Sequence, residues 1–451
     1  MCTTEHSGPS TSILLIIYHS PYLTELNIHC SFKLELSLIQ VLLTVLETQL
    51  PCLQRLDTQV SSINQVAGFE LLKICFKHSQ LIDLKCDFYF ERCQYPTDSK
   101  DYKDPVPKLD ALLKFLQDAD KAKADAGLPI GLRLRSLMLP GIQEGYPKDF
   151  LIPFLRSHVP NVERFHMPCI HGPVTELDLQ ELEEAIAVGC PRLQHLSSGQ
   201  WSIHEVDSSV SLIAALRSFL KSGCLRSYTA HRYYEKDTES GPVIKSLLSY
   251  HATTLEKIEF QECIHLNNQS ILSLATTCKN LRTLRVNPGI EGSTSLRFQD
   301  VSTEWVCCDL TVLELFVDRR VVVPQGMAKV DIVTHAMERF FSQVGRLTKL
   351  EELGLGSRMD LERGGRKLFA KDLTLENGWL AELSGLKQLR HLRMYSDYWS
   401  SMVQEDIEFM DTKWPKLEKI SFGCGDGYDR NVLQKDLWEG LKEMRPFIVY
   451  V

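Results

Sequence analysis

The sequence predicts an α/β repeat solenoid, a horseshoe with parallel strands on its concave face and helices on its convex face. Three observations carry that prediction. One six-residue phrase recurs along nearly the whole chain, the stretches between its copies have helical periodicity, and proline falls at the same point just before several copies.

The phrase is an apolar residue, two variable residues, an apolar residue, one variable residue and a mostly apolar one. It reads Leu23-Thr24-Glu25-Leu26-Asn27-Ile28 at its first appearance and returns from Leu81, Leu134, Val162, Leu255, Leu281, Leu310, Leu350, Leu389 and Leu417. Weaker copies, ending in a polar or small residue, start at Leu53, Leu193 and Leu225, which makes 13 in all. Residues two apart on a strand share a face, so the second and third apolar positions point inward and the residues between them point out. Most copies start 26 to 32 residues apart, at or slightly above the usual period of leucine-rich repeats.

Between the copies, Leu36, Ile39, Leu42, Leu43 and Leu46 fall on one helical stripe, as do Leu179, Leu182, Ile186 and Ala187. Proline punctuates the helix ends at Leu50-Pro51-Cys52-Leu53, Val159-Pro160-Asn161-Val162, Cys190-Pro191-Arg192-Leu193 and Trp414-Pro415-Lys416-Leu417. It lacks a backbone donor and drives the residue before it out of helical angles, so the helix stops there. Neither strand nor helix can bury its apolar face alone, and stacking the units closes a continuous core. A flat, doubly wound sheet would not repeat one phrase at near-constant intervals.

Three intervals are stretched, to 53, 40 and 39 residues after Leu81, Leu310 and Leu350. The first holds a polar loop over Tyr95 to Pro107 and a helical run from Lys108 to Lys123, and a degenerate repeat is expected inside it. The second reads as a loop over Phe316 to Lys329 and a helix over Ile332 to Val344, and the third carries the basic residues Arg358, Arg363, Arg366 and Lys367. The expected organisation is a disordered 1–12 followed by one leucine-rich-repeat domain over 13–451, with insertions near 94–133, 316–345 and 356–380. About 13 to 14 short parallel strands are expected, with a weak edge at the N-terminal end because nothing polar caps the first apolar layer.

Composition narrows the function. The 451 residues, 44% hydrophobic and 24% charged, are enough for an extensive core, and a net charge of −8 with both signs interspersed gives no reason to expect nucleic acid. No apolar run approaches the roughly 18 to 20 residues that span a bilayer, and no Lys or Arg precedes Ile13 to Tyr18 as in a secretory leader, so no membrane partner is expected. The 14 cysteines include no C-x-x-C pair. Cys190 and Cys278 recur at one place in the repeat, as small core residues of a reducing compartment would, which points to cytoplasm or nucleus.

No nucleophile elbow, phosphate loop or HExxH segment is present, and Gly364-Gly365 reads as a turn. His29, His166, His195, His231 and His391 occupy outward strand positions, where a polar binding face accounts for them. The expectation is therefore no enzyme, no cofactor and no metal site. Binding is easier to place. Outward positions supply residues of both signs, among them Glu25, Arg55, Asp57, Asp83, Lys85, Lys257 and Glu259, and the aromatics Trp201, Tyr233 and Tyr234 lie on or just beyond strands. Arg and aromatic residues concentrate binding energy at interfaces, and the best combined candidates for partner contact are Arg285, Glu314, Arg393, Tyr395, Tyr398 and Trp399.

The cysteine-bearing phrases at Cys190 and Cys278, the repeat length, and the run Trp305-Val306-Cys307-Cys308-Asp309-Leu310-Thr311-Val312-Leu313-Glu314-Leu315 resemble the leucine-rich-repeat portion of fungal F-box proteins. That resemblance covers nearly the whole chain. It implies substrate recognition for a cullin-RING ubiquitin ligase, in which an F-box grips a Skp-type adaptor. No leucine-proline-x-glutamate opening precedes Leu23, so adaptor binding carries over to no residue and requires an F-box supplied upstream. Tyr18-His19 stand before Leu23 at the offset that Tyr250-His251 stand before Leu255, as if the chain opened inside an array. A free-standing interaction or inhibitor scaffold of the ribonuclease-inhibitor type is the alternative, and in either case the partner is expected to be a protein bound on the concave face.

Overall fold

In the computed structural model the residues described are 19–30, 36–63, 65–90, 106–140, 146–167, 176–198, 225–231, 242–263, 266, 268–288, 296–297, 300–318, 329–357, 374–376, 379–395, 403–422 and 449–450. They fall into two compact units, Met1–Leu225 and Arg226–Val451.

In the first unit the strands are β1 (Glu25–Cys30), β2 (Arg55–Ile63), β3 (Asp83–Phe90), β4 (Ser136–Met138), β5 (Arg164–Met167) and β6 (His195–Ser198). They lie side by side in chain order, all pairs parallel. In the second unit β7 (Ser227–His231), β8 (Lys257–Cys263), β9 (Thr283–Pro288), β11 (Val312–Asp318), β12 (Glu352–Ser357), β13 (His391–Tyr395), β14 (Lys419–Phe422) and β15 (Val449–Tyr450) form a parallel ladder in that order, and the short β10 (Leu296–Arg297) pairs with the end of β11. Helices alternate with the strands in both units, as Leu36–Gln49, Gln65–Lys77 and Glu176–Gly189 do in the first and Asn268–Thr277, Lys329–Gly345 and Gln404–Lys413 in the second. Parallel strands joined by helical crossovers, in register and in chain order, are the architecture of a leucine-rich-repeat solenoid.

Each of the 13 phrases predicts its strand with one offset: the strand begins two residues after the first apolar position, from Leu23 and Glu25 to Leu417 and Lys419. In most copies that first residue closes a turn. The N–H of Leu53 is donated to the carbonyl of Leu50, and the same bond recurs from Val162 to Val159, Leu193 to Cys190, Leu281 to Cys278, Leu310 to Cys307 and Leu417 to Trp414, at 3.0 to 3.2 Å. One carbonyl before each strand then accepts two N–H groups of the next unit, as Arg282 accepts from Thr311 at 2.8 Å and Val312 at 3.0 Å. The carbonyl pairing thus recurs from unit to unit, which is how a parallel ladder is continued without orphaned groups.

The second phrase position forms the spine of the core. Leu26, Leu56, Leu84, Leu137, Phe165 and Leu196 are in register in the first unit, and Tyr228, Ile258, Leu284, Leu313, Leu353, Leu392 and Ile420 in the second, all buried. The polar third position of the copy at Leu53 is also accommodated: buried Thr58 donates its hydroxyl to the Lys85 carbonyl at 3.2 Å. The residue at each turn's start is the second layer, and Leu50, Val159, Cys190, Cys278, Cys307, Leu347, Leu386 and Trp414 are all buried there. The recurring cysteines are therefore core residues, and burial pushes the thiols of Cys190, Cys278 and Cys307 up to about 12, far from the reactive thiolate form.

Two expectations need correction. β3 pairs directly with β4, Leu84 opposite Leu137, so no degenerate strand stands between them. The extra length goes instead into the 20-residue helix Val106–Asp125, whose Asp120 binds buried His158 at 2.5 Å and accepts the Gly131 N–H at 2.9 Å. β10 and β15 carry no leucine phrase and were not anticipated. Residues 1–12, much of the first insertion's loop, the basic segment at 358–367, and Gly364-Gly365 lie outside the described residues. Among the described residues no helix is long and apolar enough to cross a membrane.

Candidate functional site

Alternation along β8 to β13 turns one side of each strand into the buried spine and leaves the intervening residues on the other side. In the second unit the registers place Glu259, Arg285, Glu314, Gly354, Arg393 and Ser421 in one row across that outward side. Lys257, Thr283, Val312, Glu352, His391 and Lys419 form the row next to it, two residues earlier on each strand. Of the sequence-predicted candidates, Arg285, Glu314 and Arg393 thus come together.

The charges in these rows are joined. Arg285 donates Nη2 to Glu352 Oε2 at 2.7 Å and Nη1 to Glu259 Oε1 at 3.4 Å, and its Nε stands 3.8 Å from Glu314 Oε2. Arg393 donates Nη1 to the same Glu314 Oε2 at 3.2 Å. Lys257 Nζ approaches Glu259 Oε2 at 3.0 Å, and His391 Nδ1 lies 3.5 Å from Glu352 Oε1. One network therefore runs from β8 through β9, β11 and β12 to β13. Ion pairs near a protein surface are worth little singly, whereas a carboxylate buried between two guanidiniums also fixes where those guanidiniums sit.

A glycine makes the last link possible. Arg393 is two strands away from Glu314, with Gly354 between them in the register. A Cβ at Gly354 would lie 2.9 Å from Glu314 Cγ and 3.3 Å from its Cβ, so the glutamate crosses the space that a side chain would fill. Gly356 does the same one step along: a Cβ there would meet the Phe316 ring at 2.5 Å, so the ring lies over bare backbone. Glycine costs a strand packing and conformational entropy, and such a position marks a close approach. Sequence reasoning passed over Gly354, Gly356 and Glu352. The signal was there, two glycines at successive outward positions of Glu352-Leu353-Gly354-Leu355-Gly356.

The first unit carries a smaller version on the same side of its strands. Arg55 is paired with Glu25 at 2.7 Å and Asp83 at 3.1 Å, Lys85 with Asp57 at 3.3 Å, and His166 Nδ1 with Ser197 Oγ at 2.7 Å. Tyr395 is placed on β13 by its backbone, opposite Gly356. Its side chain, and Tyr398, Trp399, Trp201, Tyr233 and Tyr234, lie outside the described residues. Among the described residues no group of three or more His, Cys, Asp or Glu side chains could hold a metal ion. What the rows offer is cations and hydrogen-bonding groups held on a parallel ladder.

No family model and no curated protein matches the chain. Solved structures similar to it include a chain of the Rad7 and Elc1 complex of yeast, at 11% identity and a TM-score of 0.45, over 98% of this chain and 88% of that one. The leucine-rich-repeat-containing protein LegL7 of Legionella pneumophila is similar at 11% identity and a TM-score of 0.31, over 66% of this chain and 86% of its own. A leucine-rich-repeat protein of Leptospira interrogans is similar at 13% identity and a TM-score of 0.38, over 97% and 98%. The fold assignment rests on the ladder itself, not on these likenesses.

Proposed function

We propose that the chain is a non-catalytic protein-binding scaffold whose partner docks on the outward side of β8 to β13, the face expected to be concave. The network joining Arg285, Glu314 and Arg393 across five strands carries this reading. Arginines held in place by buried carboxylates lose little freedom when a partner arrives, which is the condition under which Arg becomes a binding hot spot. Tyr395, on β13, and Tyr398 and Trp399, which follow it in the sequence, are proposed as aromatic contacts of the same partner. Glu314 acts from beneath, as a positioning residue for the two guanidiniums.

Substrate recognition for a cullin-RING ubiquitin ligase is the finer form of this reading, and its support is the resemblance of the cysteine-bearing phrases to F-box leucine-rich repeats. Affinity capture with the full chain separates the forms. A cullin or a Skp-type adaptor recovered with it supports ligase recognition, and a stable partner recovered without either supports a free-standing scaffold. The surface is tested on the captured partner. Arg285→Ala with Arg393→Ala, and separately Trp399→Ala, should weaken binding at least about tenfold, roughly 1.4 kcal/mol. Glu338→Ala, on the exposed side of the helix Lys329–Gly345, should stay within about twofold. The reverse ranking, with all variants folded, would show that the partner docks elsewhere.

A further inference from the structure

The network of the second unit is close to neutral as a list of residues, three carboxylates against three permanent cations, but its two signs are not equally presented. The side chains of Glu259 and Glu314 are 8% and 7% exposed, whereas Lys257 is 45%, Arg393 40% and Arg285 31% exposed. Glu352, at 33%, is the one acid of the network of comparable exposure, beside His391 at 41%. Two of the three carboxylates, Glu259 and Glu314, lie underneath, and Lys257 and Arg393 stand more exposed above them. A ligand arriving at this face meets the Lys257 ammonium and the Arg393 guanidinium above those two carboxylates.

The segregation is weaker in the first unit. There Arg55, exposed to 55%, stands beside Glu25 at 53% and Asp83 at 24%, and Lys85 at 39% beside Asp57 at 28%, so acids are offered along with the cations. The acids that stand in the open beside the second unit's network belong to the row just before the strands, where Glu256 pairs with Arg226 at 3.4 Å and Glu418 with Arg390 at 3.5 Å, and Glu351 is exposed. That row alternates in sign and forms a rim. The chain as a whole carries −8, so general attraction of polyanions is opposed and the cationic patch can act only at short range.

We infer that the outward face of β8 to β13 binds an acidic, extended peptide segment of a partner protein, its carboxylates pairing with Lys257, Arg285 and Arg393. This inference rests on the reading of that face as the binding surface and names the chemistry of what binds there. Arg285 and Arg393 are three strand spacings apart in the ladder, about 14 Å, which an extended chain running across the strands covers in roughly four residues. Between them Gly354 and Gly356 place no side chain on the face, so none from β12 stands in that row between the two arginines. Arg is suited to the task because it forms paired hydrogen bonds to a carboxylate while still engaged below.

The test is fluorescence anisotropy of the full chain with labelled peptides of about twelve residues, one alternating Glu and Gly, one Gln and Gly, one Lys and Gly, and a single-stranded RNA of matching charge. The acidic peptide should bind, lose at least tenfold in affinity between low and moderate salt, and lose at least tenfold again in Arg285→Ala with Arg393→Ala. Arg393→Gln, which keeps a donor for Glu314 and removes the charge, should give most of the loss that Arg393→Ala gives alone, and Arg55→Ala in the first unit none. Circular dichroism of each variant guards against unfolding. Equal binding of the neutral or basic peptide, RNA binding as tight as the acidic peptide's, or an affinity unmoved by the arginine changes overturns the inference. Failure of the acidic peptide while capture of the natural partner still depends on Arg285 and Arg393 removes the acidic ligand alone, and loss of both removes the face.

Discussion

Replacing Leu284 by alanine should cost roughly 2 to 5 kcal/mol of unfolding free energy, measured by urea denaturation of the full chain. Leu284 stands at the middle of the second unit's spine, fully buried between Ile258 on β8 and Leu313 on β11. Alanine removes three carbons from water-excluded contact and leaves a hole that the ladder cannot close, because both neighbours are held by their own backbone registers. Repeat packing makes the loss propagate, since each unit is stable only against its neighbours. A loss below about 0.5 kcal/mol would contradict the assignment of that position to the core.

The second large effect should come from a polar residue. Asp406, the third residue of the helix Gln404–Lys413, is fully buried. One carboxylate oxygen accepts the Val403 N–H at 2.9 Å, just outside the helix, and the other accepts the Leu375 N–H at 2.7 Å from the preceding connection. The first bond is half of a capping box, and Val403 has no side-chain oxygen to supply the other half. Asp406→Ala should therefore lose the cap and leave the Leu375 N–H without its acceptor, about 2 to 4 kcal/mol together. Asp406→Asn, with one acceptor oxygen left, should fall between that variant and the parent. Equal stability of all three proteins would mean that the carboxylate does not hold the segment to the helix.

What could be read from the sequence was what periodicity dictates. An apolar residue at a fixed place marks a strand two residues later and a buried row, because an inward position tolerates little else, and this held from Leu23 to Leu417. The readings failed where length or burial departs from the pattern. The long interval after Leu81 suggested a hidden repeat, but the chain spends those residues on one long helix, a choice that helical periodicity alone does not forbid. β15 was missed because Val449-Tyr450 carries no leucine and its place is set by pairing with β14.

The candidate site was legible as a set of outward residues and not as a network. Sequence spacing says that Arg285, Glu314 and Arg393 share a face, but a contact between residues 79 positions apart depends on registers, and on a glycine whose missing side chain makes the bridge. Nor does spacing show that Glu314 is buried while the arginines above it are not. That difference in burial is what the proposal of an acidic ligand draws on.

Two histidines give the most direct measure of where the partner binds. His391 lies on β13 within the network, half-exposed, and His335 lies exposed on the helix Lys329–Gly345. Each is modified with diethylpyrocarbonate in the free chain and in the complex with its captured partner, and the two sites are quantified by mass spectrometry. The account predicts that His391 modification falls several-fold in the complex while His335 is unchanged. Protection of His335 with His391 still fully reactive would place the partner on the helices and contradict it.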